Sequence, residues 1–222
     1  SLVKLGRTLG HVDFAVDIKG VKTEPYRDPR GPSENEVVKL FRAVRSQPNV
    51  EKGIRDEAIL HLLFTCGLRS IEVRELSLEH FDVDGKRIFV RGKGKRERKP
   101  VTLPPDVLNV MKTWVALRGN GPGPLFTKLS RNKKGKSAHL SRLAMVRMIA
   151  ALGKAIGIRV RPHGLRHAAI TQALDKTNGD VRAVRKFSRH ERIETLLKYD
   201  DARQDVAGDI ATKLAEGLRE KK

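Results

Sequence analysis

Between residues 81 and 103 the hydrophobic period falls from 3.6 to two, and this restricts the chain to a fold that sets a small sheet among helices. Phe81 and Val83, then Ile88 and Val90, alternate around Asp84-Gly85, which predicts a hairpin with its turn at that dipeptide. Gly92-Lys93-Gly94-Lys95 predicts a second turn, and Val101 and Leu103 a third strand. The flanks are helical. Ser33-Glu34-Asn35-Glu36 reads as a capping box ahead of Val37, Leu40, Phe41 and Val44. A second helix is expected over Ile54–Phe64 and a short one over Arg69–Leu76. After the sheet, Val107, Val110, Met111, Trp114 and Val115 keep the helical period, as do Leu143, Val146, Ile149 and Ile156. Further helices are expected over His163–Lys176, Asp180–Ser188, Ile193–Tyr199 and Val206–Leu218. The expected class is α+β, mainly α-helical, with a three-stranded antiparallel sheet. Residues 1–32, with Gly10, Gly20, Pro25, Pro29, Gly31 and Pro32, read as a linker or arm, which leaves 33–222 as the main domain.

The charge is lopsided. Forty-six Lys and Arg against 26 Asp and Glu give +20, an excess that a polyanion such as nucleic acid screens. Residues 1–32 hold six basic and four acidic side chains, so almost all of the excess belongs to the main domain. Two stretches concentrate it. Lys86–Lys99 has eight basic residues and one acid, and Lys128–Arg142 has six and none. Cys66 is the only cysteine, which excludes an internal disulfide and a cysteine-based zinc site. No apolar run reaches the roughly 18 residues of a membrane span and no signal peptide opens the chain, so a reducing cytoplasm is the expected location. Aromatic residues are 5% of the chain, too few for a base-stacking binder of single strands.

Several clusters have the chemistry of an anion receptor. In Arg161-Pro162-His163-Gly164-Leu165-Arg166-His167, Pro162 suits the first turn of a helix, and His163 and Arg166 then share a face. A helix N-terminus with an imidazole and a guanidinium suits a phosphate. His163 and His167 are also four apart, but no zinc-protease glutamate and no third ligand accompany them, so no metal is expected. In Thr65-Cys66-Gly67-Leu68-Arg69-Ser70-Ile71-Glu72, Gly67 ends one helix and Arg69 starts the next, with Glu72 three residues on to orient the guanidinium. Lys93 sits between two glycines at a hairpin tip, and His190 precedes Tyr199 by nine positions.

Taken in order, Arg69, Lys93, His163, Arg166, His190 and Tyr199 resemble the active-site signature of the tyrosine recombinase/phage integrase family. The local motifs that carry the likeness are C-G-L-R-S-I-E, G-K-G-K-R-E-R, H-G-L-R-H, R-H and the final Tyr, spread from about Ser33 to Leu218. One departure stands out: the family usually has Leu-Gly before the second histidine, and this chain has Ser188-Arg189, which could shift His190 or add a phosphate contact.

The resemblance implies a site-specific recombinase catalytic domain that cuts and rejoins double-stranded DNA through a 3′-phosphotyrosyl bond at Tyr199. Arg69 and Arg166 are then the clamps on the non-bridging oxygens, His163 helps to take the tyrosine proton, Lys93 is the general acid, and His190 bonds a non-bridging oxygen. Glu72 and His167 support this set from behind. Arg91, Lys95, Arg96, Arg98, Lys133, Lys134 and Lys136 track the DNA phosphates. No cofactor and no metal are implied. Family members work as oligomers on DNA, usually tetramers, with the C-terminal helix docked on a neighbour. Here the stripe Val206, Ile210, Leu214 and Leu218 fits that part. The family's N-terminal helical domain has no counterpart in residues 1–32, so an isolated catalytic domain acting at the nucleoid is expected. Two other readings stay open: a type IB topoisomerase-like enzyme, and a DNA-binding protein whose site has lapsed.

Overall fold

The computed structural model describes residues 6, 8–11, 31–92, 94, 96–129, 138–201, 211, 212 and 214–216. Helix α1 (Glu34–Arg45) starts where the capping box puts it: the Glu36 amide donates to Ser33 Oγ and the Ser33 amide donates to Glu36 Oε2. Its Val37, Leu40 and Val44 are buried. Helix α2 (Val50–Leu63) starts four residues earlier than expected, because Asn49 caps it by accepting from the Lys52 amide. Helix α3 (Ser70–Arg74) is a single short turn that begins at Arg69.

The sheet has the order β1 (Phe81–Asp82), β2 (Arg87–Arg91), β3 (Arg98–Thr102), all antiparallel. Ile88 and Val90 of β2 face the core, and Val101 pairs with Ile88. The first turn differs from the expected one. Asp82 pairs with Arg87, so Val83 leaves the strand and is 38% exposed, and the left-handed residue is Lys86 at φ 51°. Gly85 is needed for space: a Cβ there would come within 2.3 Å of the Asp82 carboxylate, which accepts from the Gly85 amide. Pro100 is tolerated because β3 is an edge strand.

Helix α4 (Pro105–Arg118) buries Val107, Leu108, Met111 and Trp114, and the Trp114 indole N–H donates to the Leu125 carbonyl at 2.9 Å. Helix α5 (Arg142–Ala155) is capped by Ser141. It turns a different face inward from the one expected. Met145, Met148, Ile149 and Leu152 are buried, while Leu143 is 55% exposed. The helix is apolar on two faces, and packing against α1, α3 and α6 (Pro162–Lys176) selects between them. These elements share one large core.

A second, smaller core joins α6 to α7 (Val181–Ser188) and α8 (Glu194–Asp201). Ile170, Leu174, Val184 and Leu196 fill it, and Tyr199 packs against it. Leu214 lies among the described residues of the C-terminal stripe and is 67% exposed; Val206, Ile210 and Leu218 lie outside them.

Candidate active site

Gly67 holds the site together from the middle of the α2–α3 turn. Its φ of +57° suits glycine, and a Cβ there would meet the Phe187 ring at 2.8 Å. The turn therefore brings α3 and the end of α7 together, with the Gly67 carbonyl pointing between them. Arg166, 2% exposed, donates through one guanidinium nitrogen to that carbonyl and through the other to the Ser188 carbonyl at 2.6 Å. The second nitrogen also lies 3.4 Å from His190 Nε2. Burial, then the neighbouring charges of Arg69 and Arg189, lower the Arg166 pKa to about 10, which leaves it a cation at neutral pH.

Arg69 caps α3. Its amide donates to Glu72 Oε2 at 2.8 Å and its guanidinium to Glu72 Oε1 at 2.9 Å. Burial works to raise the Glu72 pKa, but Arg189 and the hydrogen bonds and charge of Arg69 outweigh it, so the carboxyl lies below the usual range. Glu72 thus accepts from both the backbone and the guanidinium of Arg69.

The departure at Ser188-Arg189 has a structural role that the motif alone does not give. Arg189 adopts the left-handed cap of α7 at φ 56° and turns its side chain toward the α2–α3 turn and Glu72. It donates to the carbonyls of Phe187 and Gly67 at 3.0 Å each and to Glu72 Oε2 at 3.1 Å. Ser188 is fully buried, and its hydroxyl lies 2.9 Å from His190 Nδ1. With Arg166 donating to Nε2, the network assigns His190 as neutral with its proton on Nδ1, donated to Ser188. Burial and the charges of Arg166, Arg69 and Arg189 lower its pKa to about 4.

Helix α6 presents His163 and His167 one turn apart, with their Nε2 atoms 2.7 Å from each other. Desolvation and Arg166 lower the pKa of His163. Tyr199, on α8, places its hydroxyl 3.3 Å from His167 Nε2, and its ring centroid lies 6.3 Å from that of His190. Burial raises the phenol pKa, and Arg166 and Arg69 oppose that rise. Contacts that run through Glu72, Arg189, Gly67 and His167 thus link Arg69, Arg166, His190, Tyr199 and His163.

Lys93 and Lys95 lie outside the described residues, as do Lys133, Lys134 and Lys136. Gly94 between the first two has φ +74°, in keeping with the expected turn. Arg91 pairs with Glu75 at 2.9 Å, Arg96 is exposed, and Arg98 donates to the Phe89 carbonyl at 3.4 Å. A cleft of about 1560 Å³ runs from Val90 and Lys99 of the sheet, past Arg69 and His190, to Arg182 and Arg185 of α7. Among the described residues no cluster of three metal-ligating side chains occurs, and no helix is long and apolar enough to cross a membrane.

Residues 33–205 match the model of the phage integrase family. A tyrosine recombinase of Synechococcus elongatus is 39% identical over 98% of this chain and 69% of its own length. One from Synechocystis is 34% identical over 98% of this chain and 70% of its own. The fold is shared with the crystal structure of XerA recombinase, with a TM-score of 0.64 at 24% identity over 85% of this chain and 65% of that one. It is shared too with XerH recombinase in a post-cleavage complex with a palindromic difH substrate, with a TM-score of 0.71 at 19% identity over 91% and 60%. This chain belongs to the phage integrase family and, within it, to the tyrosine recombinases.

The neutrality of His190 has a measurable consequence. Its folded pKa, about 4, lies below the ordinary 6.5, so between those values the unfolded chain binds the proton and the folded one does not. Stability therefore falls as the pH drops from 6.5 to about 4, and the loss levels off below that. Urea midpoints measured across this range should drop less steeply for His190→Asn than for the parent. An equal slope would show that His190 titrates normally.

Proposed function

We propose that residues 33–222 form the catalytic unit of a site-specific DNA recombinase, with residues 1–32 as a connecting arm, and that it exchanges DNA strands through a phosphotyrosine at Tyr199. The observation that carries this reading is the convergence of Arg69, Arg166, His163, His190 and Tyr199, from four separate segments, on one cationic site. Of the three guanidinium groups there, Arg69 and Arg189 pair with the one buried carboxylate, Glu72, and Arg166 pairs with none among the described ion pairs, an imbalance that a phosphodiester would correct. Solved relatives include XerH bound to difH substrate and the Tn1549 transposon integrase in complex with circular intermediate DNA.

In this mechanism Arg69 and Arg166 hold the non-bridging oxygens and stabilise the charge of the pentacoordinate transition state. His190 also faces a non-bridging oxygen. Its Nε2 accepts from Arg166 in the free protein, so the ring must give up that bond and carry a proton on Nε2 before it can donate to the phosphate when DNA binds. Tyr199 Oη attacks phosphorus, and Lys93 protonates the departing 5′ oxygen. A phosphate diester becomes a phosphotyrosyl ester of similar energy, so the 5′-hydroxyl can reverse the step without ATP. The exposed Arg96, with Arg91, Arg98 and the lysines at 95, 133, 134 and 136, follows the DNA backbone, which supplies affinity and register more than sequence choice. Assembly is as a homo-oligomer on DNA, a tetramer, with the helix of the C-terminal stripe docked on a neighbour; the 67% exposure of Leu214 supports an uncovered apolar stripe.

A pool of nicked duplexes with randomised sequence around the nick, followed by sequencing of the DNA joined to protein, tests the reading. The parent chain should form covalent adducts. Tyr199→Phe should form none while its gel-shift affinity stays within about threefold, because only the nucleophilic oxygen is lost. Adducts persisting in that variant would place the nucleophile elsewhere.

On the duplex so selected, Lys93→Ala should slow cleavage by about 10²-fold or more, the usual loss on removing a general acid. Sulfur in place of the 5′ bridging oxygen leaves without a proton and should restore most of the rate. Equal impairment on both substrates would reduce Lys93 to a binding role.

Deleting the residues after Asp205 should leave single-site DNA binding intact and weaken assembly on two-site DNA. Gel shifts and crosslinking on one-site and two-site duplexes read both. A truncated chain that assembles as well as the parent would rule out docking on a neighbour.

A further inference from the structure

The family resemblance gives His163 a share in taking the tyrosine proton, yet the hydroxyl of Tyr199 meets a different imidazole. Tyr199 Oη is 3.3 Å from His167 Nε2, and His163 Nε2 is 2.7 Å from that same His167 nitrogen. The His167 ring lies beside the phenol ring, with centroids 4.7 Å apart and planes 34° apart, and His163 meets His167 edge-on at 84°. Two imidazole nitrogens at hydrogen-bond distance share one proton, since two lone pairs repel and two N–H groups collide. When the proton is on His163, His167 Nε2 bears a single lone pair, which accepts either from the His163 N–H or, once His163 turns its N–H to the phosphate, from the Tyr199 O–H. When it is on His167, the phenol loses that acceptor. The first arrangement readies the nucleophile.

We propose that His167 is a catalytic residue whose Nε2 takes the proton from Tyr199 as the phenol attacks phosphorus. This rests on the reading of Tyr199 as the nucleophile. The O–H bond of Tyr199 breaks and an N–H bond forms on His167. The Oη–P bond forms, the bond from phosphorus to the 5′ oxygen breaks, and that oxygen takes its proton from the general acid. His167 is then an imidazolium. Its new N–H faces His163, whose own N–H turns to a non-bridging phosphate oxygen. On religation the 5′-hydroxyl attacks and returns its proton to the general acid, and the leaving phenolate recovers its proton from His167. The spacing of four residues makes this division of labour possible, because it stacks a phosphate ligand and a base on one face of α6. His163 on α6, His190 after α7 and Tyr199 on α8 lie against His167, and the charges of Arg166 and Arg69 act on all three of them.

The test uses the full 222-residue chain and the selected nicked duplex with sulfur at the 5′ bridging position, so that only nucleophile activation limits the rate. His167→Asn keeps a polar group of similar reach without a base, and His167→Phe keeps the ring without either. Circular dichroism and gel shifts check that fold and DNA affinity survive. Both variants should form the Tyr199 adduct about 10²-fold more slowly at neutral pH, and the deficit should shrink toward about threefold as the pH rises past 10 and hydroxide ionises the phenol. A rate within about threefold of the parent at neutral pH in either folded variant, or a deficit that is the same at every pH, would overturn the base role. Tyr199→Phe, run alongside, separates that result from failure of the nucleophile reading, which would show as an adduct that survives the loss of Tyr199.

Discussion

The buried guanidinium of Arg166 is the constraint around which the rest of the site is arranged. A cation at 2% exposure is tolerable only when its donors are matched by acceptors held in place. The carbonyls of Gly67 and Ser188 meet that demand, and so the α2–α3 turn, the first turns of α6 and the end of α7 are tied to one side chain. Gly67 can serve because its positive φ aims the carbonyl inward, and because Phe187 occupies the space a Cβ would need. Loss of that geometry would strand the charge, so the position of the clamp and the packing of the fold depend on each other.

The electrostatics around this point are deliberately incomplete. Glu72 balances Arg69 and Arg189 from behind, and its own ionisation is secured by them against the effect of burial. No comparable carboxylate faces Arg166 among the described ion pairs. Burial first, and then this uncompensated field, keep His163 and His190 toward their neutral forms, where an imidazole can accept as well as donate. Binding of an anion would relieve the same field, so substrate binding and histidine protonation are coupled in this site by simple electrostatics.

The second core explains how a tyrosine near the end of the described helices is aimed at the first. Leu196 is fully buried among Ile170, Leu174 and Val184, and the ring of Tyr199 packs on the same cluster three residues later. Leu197 faces outward at 42% exposure. Among the described side chains of α8 only Leu196 is fully buried, so the orientation of Tyr199 rests on a lighter anchorage than that of α6.

By itself the sequence determined the kind of elements and their order, and it singled out a candidate set of site residues. The change of hydrophobic period at Phe81 marked the sheet, the capping box at Ser33 marked the start of α1, and the motifs around Arg69 and Arg166 marked the cation pair, because periodicity, caps and motifs are local properties of the chain. Tertiary structure decided what local pattern leaves degenerate. Val83 alternates correctly yet falls in a turn, since register is set by pairing across strands, and Leu143 keeps a helical period yet faces out, since α5 has two apolar faces and its neighbours choose one. The same holds for Arg189 and His167. Which way a guanidinium turns from a left-handed cap, and which of two histidines meets a tyrosine 32 residues away, are settled only when separate helices are packed together.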